Sequence, residues 1–515
     1  MNVSANTTSA TARAITRRLP APVDLLALYA QLSDGGRRAD TAMIETTAGR
    51  NIIVDRAAVR IECRGGKVIL DALSTNGQPV LQTVGERLSS FVTDRAPDRL
   101  TLEFGRSSEV GAEARLLAPS PFDVLRSIIS GFRNETPEEP LAVCLVGVVA
   151  FDHVDLFEDL PQNAEDPTEF ADFTFWLAES AIVGEPRLTP RLVCTSFGSN
   201  DEEQTRRSNN SAIERLGDLA FRASNVRALH PEAGTPVDVS VDLDDEAFAS
   251  AVRNLKEHIL AGDVYQIVAS RTFSAPCPDP LSSFARVRAL DRSPYMFFVS
   301  MRDCVLFGAS PETSVRVSRD GNKPVVEVKP IAGTRPRGID GDQDDRMEAD
   351  LRLDEKEAAE HMMLVDLARN DVARVSEPGT RHVAQLMSME KYARVMHLVS
   401  SVKGVLAERY DALHALQACL NPGTLSGAPK LKAIELLRRY ERTKRGPYGG
   451  TIGWLNGEGA MDTGIVIRSA LVKDGTAYVR AGAGIVHDSD PIAEADETRR
   501  KASAVLSAIA GEQVR

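Results

Sequence analysis

Hydrophobic and polar positions alternate in two rhythms along this chain, and the change from one to the other divides it. Residues 51–61 (NIIVDRAAVRI) and 67–73 (KVILDAL) alternate with a period of two, as half-buried strands do. Short runs of this kind, separated by turns, prevail from about residue 24 to residue 192. Residues 199–212 (SNDEEQTRRSNNSA) are polar and predict an exposed loop. Residues 228–239 (ALHPEAGTPVDV), with two prolines and a glycine, make a second break. Beyond it the period lengthens. Phe248, Val252, Leu255 and Ile259 form one stripe of a helix over 244–261. A strand, VYQIVASRTF (264–273), follows, then strand pairs at 296–300, 305–307, 314–317 and 325–328. Two further helices are predicted over 354–371 and 494–510. No segment repeats at a fixed period. The elements predict a mixed α+β protein with helices packed on large antiparallel sheets. Its predicted organisation is an N-terminal segment 1–20, a first region 21–227, a linker 228–240 and a second region 241–515.

Composition narrows the function. The 515 residues are 43% hydrophobic and 26% charged, values of a soluble globular protein with room for two domains or one large one. No apolar run reaches the roughly 18 residues that span a bilayer, so no membrane partner is expected. A net charge of −12 argues against a nucleic-acid partner. It also means that an anionic substrate needs local arginine, lysine, backbone N–H groups or a metal. Cys63, Cys144, Cys194, Cys277, Cys304 and Cys419 lack paired metal-ligand spacing and read as reduced core residues of a cytoplasmic protein. Residues 1–18 are rich in Ser, Thr, Ala and Arg and lack acids, which suits a transit peptide or, more simply, a frayed start. No Gly-rich dinucleotide fingerprint or P-loop appears.

The two C-terminal helices carry an unusual polarity pattern. Glu357, Glu360 and His361 share one face, continued by Leu364 and Ala368. Glu494 and Glu497 stand one turn apart, Lys501 follows a turn later, and Val505 and Ile509 continue the apolar side. Burying those stripes drags carboxylates inward, at a cost of several kcal/mol each unless they are paired or bind a cation. Four carboxylates are hard oxygen ligands that suit Mg²⁺, which keeps waters and accepts substrate oxygens. Either helix alone reads equally as a solvated, ion-paired face.

Several loops have the makings of an anion grip. PIAGTRPRG (330–338) offers Gly333 and Thr334 as backbone and hydroxyl donors. LNPGTLSGAPK (420–430) places small hydrogen-bonding residues before a helix that begins near Pro429. RAGAGIV (480–486) allows close backbone approach at Gly482, Ala483 and Gly484. Arg468 falls in the apolar run GIVIRSALV, read as a core strand, where a buried guanidinium wants a bidentate carboxylate. Glu312, in GASPE just after a strand, can serve as a general acid or simply cap a turn.

These strings, in this order, resemble the chorismate-utilising enzymes, and most closely the large subunit of anthranilate synthase. The resemblance also rests on SPYMFF (293–298), KEAAEHMMLVDLARND (356–371), VMHLVS (395–400), GTLSGAPK (423–430), RGPYGGTIGW (445–454), DTGIVIRSA (462–470) and EADETRRKA (494–502). It is dense from Asp244 onward and loose before. It implies orthogonally packed antiparallel sheets with helices outside and an active site in the cleft between them. It implies Mg²⁺ held by Glu360 and Glu497, with Glu357 and Glu494 beside them, and chorismate gripped by Gly333, Thr334, Thr424, Tyr448, Arg468, Gly482, Ala483, Gly484 and Lys501. Ammonia would attack C2 as the C4 hydroxyl leaves, with Glu312 as proton donor, giving 2-amino-2-deoxyisochorismate. Loss of pyruvate, linked in the family to His397, would give anthranilate. Such an enzyme is a lyase, or an amino-group transferase if it releases the first product.

Two positions separate this chain from cousins of the same family. Gln266 stands where isochorismate synthases carry a water-activating lysine, and Ala332 where some aminodeoxychorismate synthases carry a covalent one; both favour ammonia. No cysteine sits in a glycine-flanked nucleophile elbow, so ammonia is expected from solution or from glutamine through a separate amidotransferase subunit. Feedback-regulated relatives bind tryptophan through an LLES string and NPSPYMFF. Here the matching residues are Met43–Thr46, then Asp291 and Arg292 before Pro294, Tyr295 and Met296. The site, with Thr46, reads as vestigial, and weak or absent tryptophan inhibition is expected. Loss of that control admits an alternative in which aminodeoxyisochorismate is released for a specialised-metabolite or antibiotic pathway. A second alternative, an inactive chorismate-binding homologue, is opposed by the intact glutamates, His397 and Arg468.

Overall fold

In the computed structural model, residues 10–47, 49–109, 111–198, 202–231, 234–290, 292–392 and 395–511 are described. The described strands form one connected hydrogen-bonded network. It resolves into two large antiparallel sheets that share a pair of long strands, Asn51–Arg64 and Phe173–Gly184. The first half of Asn51–Arg64 and the second half of Phe173–Gly184 belong to one sheet; the remaining halves belong to the other. Register shifts at Val54–Val59 mark the bend, because an extra residue in one strand sharpens its twist and turns it.

Outward from the shared pair, the first sheet continues on one side through Arg191–Gly198 and Ala10–Arg18 to Phe132–Asn134. On the other side it runs through Thr41–Thr46, Tyr295–Ser300, Cys304–Ser310, Ser469–Lys473 and Thr476–Ile485 to Gln266–Pro276. The second sheet continues through Lys67–Ala72 and Arg99–Glu103 to Val92–Ala96 on one side. On the other it passes through Cys144–Val149, Thr451–Asn456, Met461–Ile465, Thr313–Asp320 and Lys323–Val328 to Val395–Val405, which also pairs with Ile331–Pro336 and His382–Lys391.

The chain changes sheet a second time at two neighbouring points. Cys304–Ser310 pairs with Ser469–Lys473 in the first sheet. The strands next to them in sequence, Thr313–Asp320 and Met461–Ile465, pair in the second. The crossings are therefore Pro311–Glu312 and Val466–Arg468, and the site lies where the sheets splay there.

Apolar residues fill three layers. Val54, Trp176, Phe297, Val299, Ile452, Trp454 and Leu471 lie between the sheets. Phe298, Phe307 and Val479 cover the outer face of the first sheet beneath Tyr29, Phe284, Val505 and Ile509 of flanking helices. Val315 and Val326 do so for the second, beneath Phe122, Val365, Ala368 and Leu416. Each such Val, Leu, Ile or Phe side chain contributes about 1.5–3 kcal/mol on burial. The mixed α+β class, with helices outside large antiparallel sheets, is the one expected.

Three readings need correction. Residues 10–18 are a strand paired with Arg191–Gly198 and, at its start, with Phe132–Asn134, not a frayed start, and bury only small Ala12 and Ala14; residues 1–9 lie outside the described residues. The polar run predicted as a loop belongs largely to a helix, Glu202–Ser224. It buries only Ser208, Ala212, Leu219 and Ala223, and docks partly through polar contacts, Arg215 with Glu179 at 2.9 Å and Ser196 with Asn209 at 2.5 Å. Arg468 is not inside a strand: it follows Met461–Ile465, has φ of 48° and is half-buried. Among the described residues, no helix is long and apolar enough to cross a membrane.

Candidate active site

Helix Glu355–Ala373 begins at Asp354, whose carboxylate accepts the N–H groups of Lys356 and Glu357. It buries His361, Leu364, Val365, Ala368 and Val372 against the second sheet. That orientation leaves Glu357 and Glu360, one turn toward the N-terminus, half-buried at the lip. Helix Pro491–Ala510 starts likewise at Asp490, which accepts from Ile492 and Ala493. It packs Ala502, Val505, Leu506 and Ile509 on the first sheet, which buries Glu494 and half-buries Glu497.

The two helices, one on each sheet, direct their acids at the same cations. Lys501 Nζ lies 2.7 Å from Glu497 Oε1 and donates to the Gly482 carbonyl at 3.0 Å. Its charge also acts on Glu312, Glu360 and Glu494. Lys356, from the other helix, acts on both Glu360 and Glu494. Burial first, and then the charge of Glu357, raises the Glu360 carboxyl above its ordinary pKa. Burial and then the Glu497 charge do the same to Glu494.

Glu494 Oε2 is buried with no hydrogen-bond partner among the described residues. A buried carboxylate oxygen left this way is costly unless a cation takes it. Oxygen-only donors fit a hard cation such as Mg²⁺. Among the described residues no three His, Cys, Asp or Glu side chains form a ready cage.

Glu312 sits at the first sheet crossing and is buried. Burial pushes its carboxyl up to about 8; the Thr424 hydroxyl and Lys501 pull weakly the other way. At neutral pH it therefore carries its proton. The Thr424 hydroxyl lies buried beside it, near enough to lower the carboxyl though without ideal hydrogen-bond geometry to any of the described residues.

On strand Thr476–Ile485, Gly482 and Gly484 share a face. A Cβ on Gly482 would stand 3.0 Å from the Tyr448 hydroxyl, and one on Gly484 3.0 Å from Gln266 Nε2 and 3.8 Å from Glu360 Oε1. Glycine keeps that wall clear; Ala483, between them, faces away into the core. Gln266 Nε2 donates to Glu360 Oε1 at 3.1 Å, while its Oε1 is buried without a hydrogen-bond partner among the described residues.

The Ile331–Pro336 strand closes the opposite wall. Gly333 has φ of 78°, and a Cβ there would lie 3.3 Å from Glu357 Oε2. His397 Nδ1 is 3.0 Å from Thr334 Oγ1 and 3.2 Å from the Gly333 carbonyl. A proton on Nδ1 satisfies that carbonyl and leaves the lone pair on Nε2. Sequence reasoning missed Arg335, which reaches Asp350 (2.6 Å), Asp354 (2.7 Å) and Glu357 (3.3 Å) and fixes this strand to the acidic helix. The signal was there: an arginine in a small-residue loop, followed within two helices by evenly spaced acids.

The structure thus brings Glu312, Gly333, Thr334, Glu357, Glu360, His397, Thr424, Tyr448, Gly482, Gly484, Glu494, Glu497 and Lys501 around the splay. Arg468 lies at the second crossing, and its carbonyl accepts the Ala309 N–H at 3.1 Å. The positions matched in sequence to the relatives' tryptophan site gather elsewhere along the first sheet. Thr46 is opposite Tyr295, and Glu45 opposite Met296; Thr47 N–H donates to the Pro294 carbonyl at 3.2 Å. Glu45 holds Arg288 in a fork at 2.7 and 2.9 Å. Asp291 lies outside the described residues, and Arg292 is exposed.

Comparison with known proteins identifies the family. Residues 90–507 match the family described as chorismate binding enzyme. The chain is 43% identical over 511 residues to anthranilate synthase component 1 of Vibrio cholerae, covering 95% of each chain. It is 44% identical over 472 residues to the pyocyanine-specific anthranilate synthase component 1 of Pseudomonas aeruginosa, covering 90% of this chain and 87% of that one. The crystal structure of anthranilate synthase component I from Streptococcus pneumoniae superposes with a TM-score of 0.70 at 30% identity, covering 90% of this chain and 93% of that one. Sequence and fold together make this chain a member of the chorismate binding enzyme family, alongside anthranilate synthase component 1.

Proposed function

We propose that the protein aminates chorismate at C2 with ammonia and then eliminates pyruvate to give anthranilate. The observation that carries this reading is the convergence of Glu312, Glu360, Glu494 and Glu497 on Lys501 beside the glycine wall. Glu360 and Glu497 would hold Mg²⁺, with Glu357 and Glu494 beside them. When bound, the ion would neutralise and orient a substrate carboxylate. The chain's own groups account for the rest. Lys501, Thr424, Tyr448 and the backbone of Gly333 and Gly482–Gly484 bind the substrate's carboxylates and hydroxyl. Glu312, protonated at neutral pH, gives its proton to the C4 oxygen, so that water rather than hydroxide departs as the C2–N bond forms and both ring double bonds shift by one position. Gln266 Oε1, oriented by the Nε2 donation to Glu360, accepts an N–H of the incoming ammonia. In the second step the C2 proton is removed, the C3–O bond breaks, and the released enolpyruvate takes up a proton at its methylene carbon to become pyruvate. The lone pair on His397 Nε2 suits it to manage that proton.

The deciding experiment is mass analysis of the product formed from chorismate, Mg²⁺ and an ammonium salt. Anthranilate supports both steps. A product that keeps its enolpyruvyl group restricts the reading to amination, and unconsumed chorismate refutes it. Insensitivity to tryptophan belongs to the same reading, since Glu45 and Arg288 satisfy one another in the vestigial site. Turnover at saturating chorismate should be unchanged by millimolar tryptophan; strong inhibition would contradict this.

A further inference from the structure

We infer that Glu441, Arg445 and Arg480 form a buried positioning unit that keeps the substrate-gripping segments in register; this rests on the function proposed above. Glu441 follows helix Lys430–Tyr440, and all three residues are buried. Five donors converge on its carboxylate. Oε1 accepts from the Ser270 N–H and hydroxyl at 2.8 Å each and from Arg445 Nη2 at 2.6 Å. Oε2 accepts from Arg445 Nε at 2.8 Å and Arg480 Nη2 at 3.0 Å. Arg445 spends its other N–H groups on the Leu425 carbonyl at 2.5 Å and the Val268 carbonyl at 2.7 Å. Arg480 donates to the Ser270 hydroxyl at 2.8 Å, the Thr443 hydroxyl at 3.0 Å and the Lys444 carbonyl at 2.8 Å.

Each segment held in this way carries a site residue. Leu425 adjoins Thr424. Val268 lies just beyond Gln266 on the same strand. Arg480 precedes Gly482 and Gly484 on theirs. The Arg445 guanidinium also lies 5.9 Å from the Tyr448 ring centre and 4.5 Å from that of Phe151. One carboxylate thus ties together four segments that come from distant parts of the sequence.

Stability alone is a poor reason for such a cluster. Buried ion triads are often replaced by apolar side chains with no loss of stability, because desolvation offsets their attraction. What they supply is direction: planar guanidinium forks fix the carbonyls they meet. Two arginines against one glutamate also leave a net positive charge behind Tyr448 and Gly482, where a dianion would bind.

The test compares Arg445→Lys, Arg445→Met and Ser270→Ala with wild type, using chorismate kinetics with ammonium and Mg²⁺, and Mn²⁺ titration without chorismate. Lysine keeps the charge but cannot reach Glu441 and both carbonyls at once. Ser270→Ala removes only a shared hydroxyl and covers the case in which an Arg445 variant fails to fold. We expect the chorismate KM to rise about ten-fold for Arg445→Lys, less for Ser270→Ala and more for Arg445→Met. Mn²⁺ affinity should stay at the wild-type value, since Glu360 and Glu497 lie outside the unit. An unchanged KM in folded Ser270→Ala and Arg445→Lys overturns the inference, as does Mn²⁺ affinity falling in parallel with chorismate binding. If wild type itself neither binds nor turns over chorismate, the proposed function fails with it; an active wild type with unmoved variants rejects the positioning unit alone.

Discussion

At the scale of single residues, two buried ionisable groups make opposite predictions. Burial raises the Glu312 carboxyl to about 8, so the acid form prevails below that pH and is lost above it. If Glu312 protonates the leaving hydroxyl, kcat at fixed free ammonia should be flat below about pH 8 and fall above it. Glu312→Gln should lose about 10²- to 10⁴-fold in kcat and lose the falling limb as well; a variant with the same pH profile would show the donor to be elsewhere. His153 is shifted the other way. It lies among Phe122, Phe157 and Phe173, with no hydrogen-bond partner for either nitrogen among the described residues, and burial lowers it to about 3. Between the ordinary histidine pKa and about 3, the unfolded chain binds a proton that the folded chain refuses. The stability tied to neutral His153 is therefore full above about pH 6.5 and drains as pH falls. The loss amounts to about 2 kcal/mol between pH 7 and pH 5. Urea unfolding at both pH values measures it, and His153→Phe should show a smaller difference by about that amount.

At the scale of elements, the site is a meeting of two helices, and its metal prediction belongs there. Glu360 and Glu497 come from helices on different sheets, so removing either charge should impair binding as much as removing the other. Glu360→Gln and Glu497→Gln should each weaken Mn²⁺ binding by about ten-fold or more, as read by titration calorimetry. A loss confined to one variant would place the ion on a single helix. Both helices were legible in the sequence because apolar stripes and acids shared one period, although the second begins at Pro491, after the Asp490 cap, three residues before its predicted start. Helix Glu202–Ser224 was not, since it presents mostly small and polar residues to the sheet and leaves no stripe to read. Strand Ala10–Arg18 was missed for a similar reason: alanines give a weak alternation. Arg468 was misread because the apolar run around it is continuous, whereas the chain turns there from one sheet to the other. No local pattern encodes that splay, which depends on pairings between strands far apart in sequence.

At the scale of the whole molecule, the question is whether this chain can make its own ammonia. Releasing ammonia from glutamine requires a nucleophile, in amidotransferases a thiolate held at low pKa beside a base. All six cysteines are free thiols, and only Cys304 is not fully buried. Burial pushes every one of them upward: Cys144, Cys194, Cys304 and Cys419 to about 12, with Cys63 and Cys277 also raised. None lines the glycine wall, and Cys419, close to Asp371 near the C-terminal end of the helix Glu355–Ala373, is buried. Glutamine should therefore support no chorismate consumption by the purified 515-residue chain, while an ammonium salt should support it fully. Addition of a glutamine amidotransferase subunit that forms a complex with the chain should restore glutamine-dependent turnover. Parallel assays with the two nitrogen donors, scored by chorismate loss and by glutamate release, decide the matter. Glutamate release by the chain alone would require a nucleophile outside these thiols and would overturn the expectation of a separate partner.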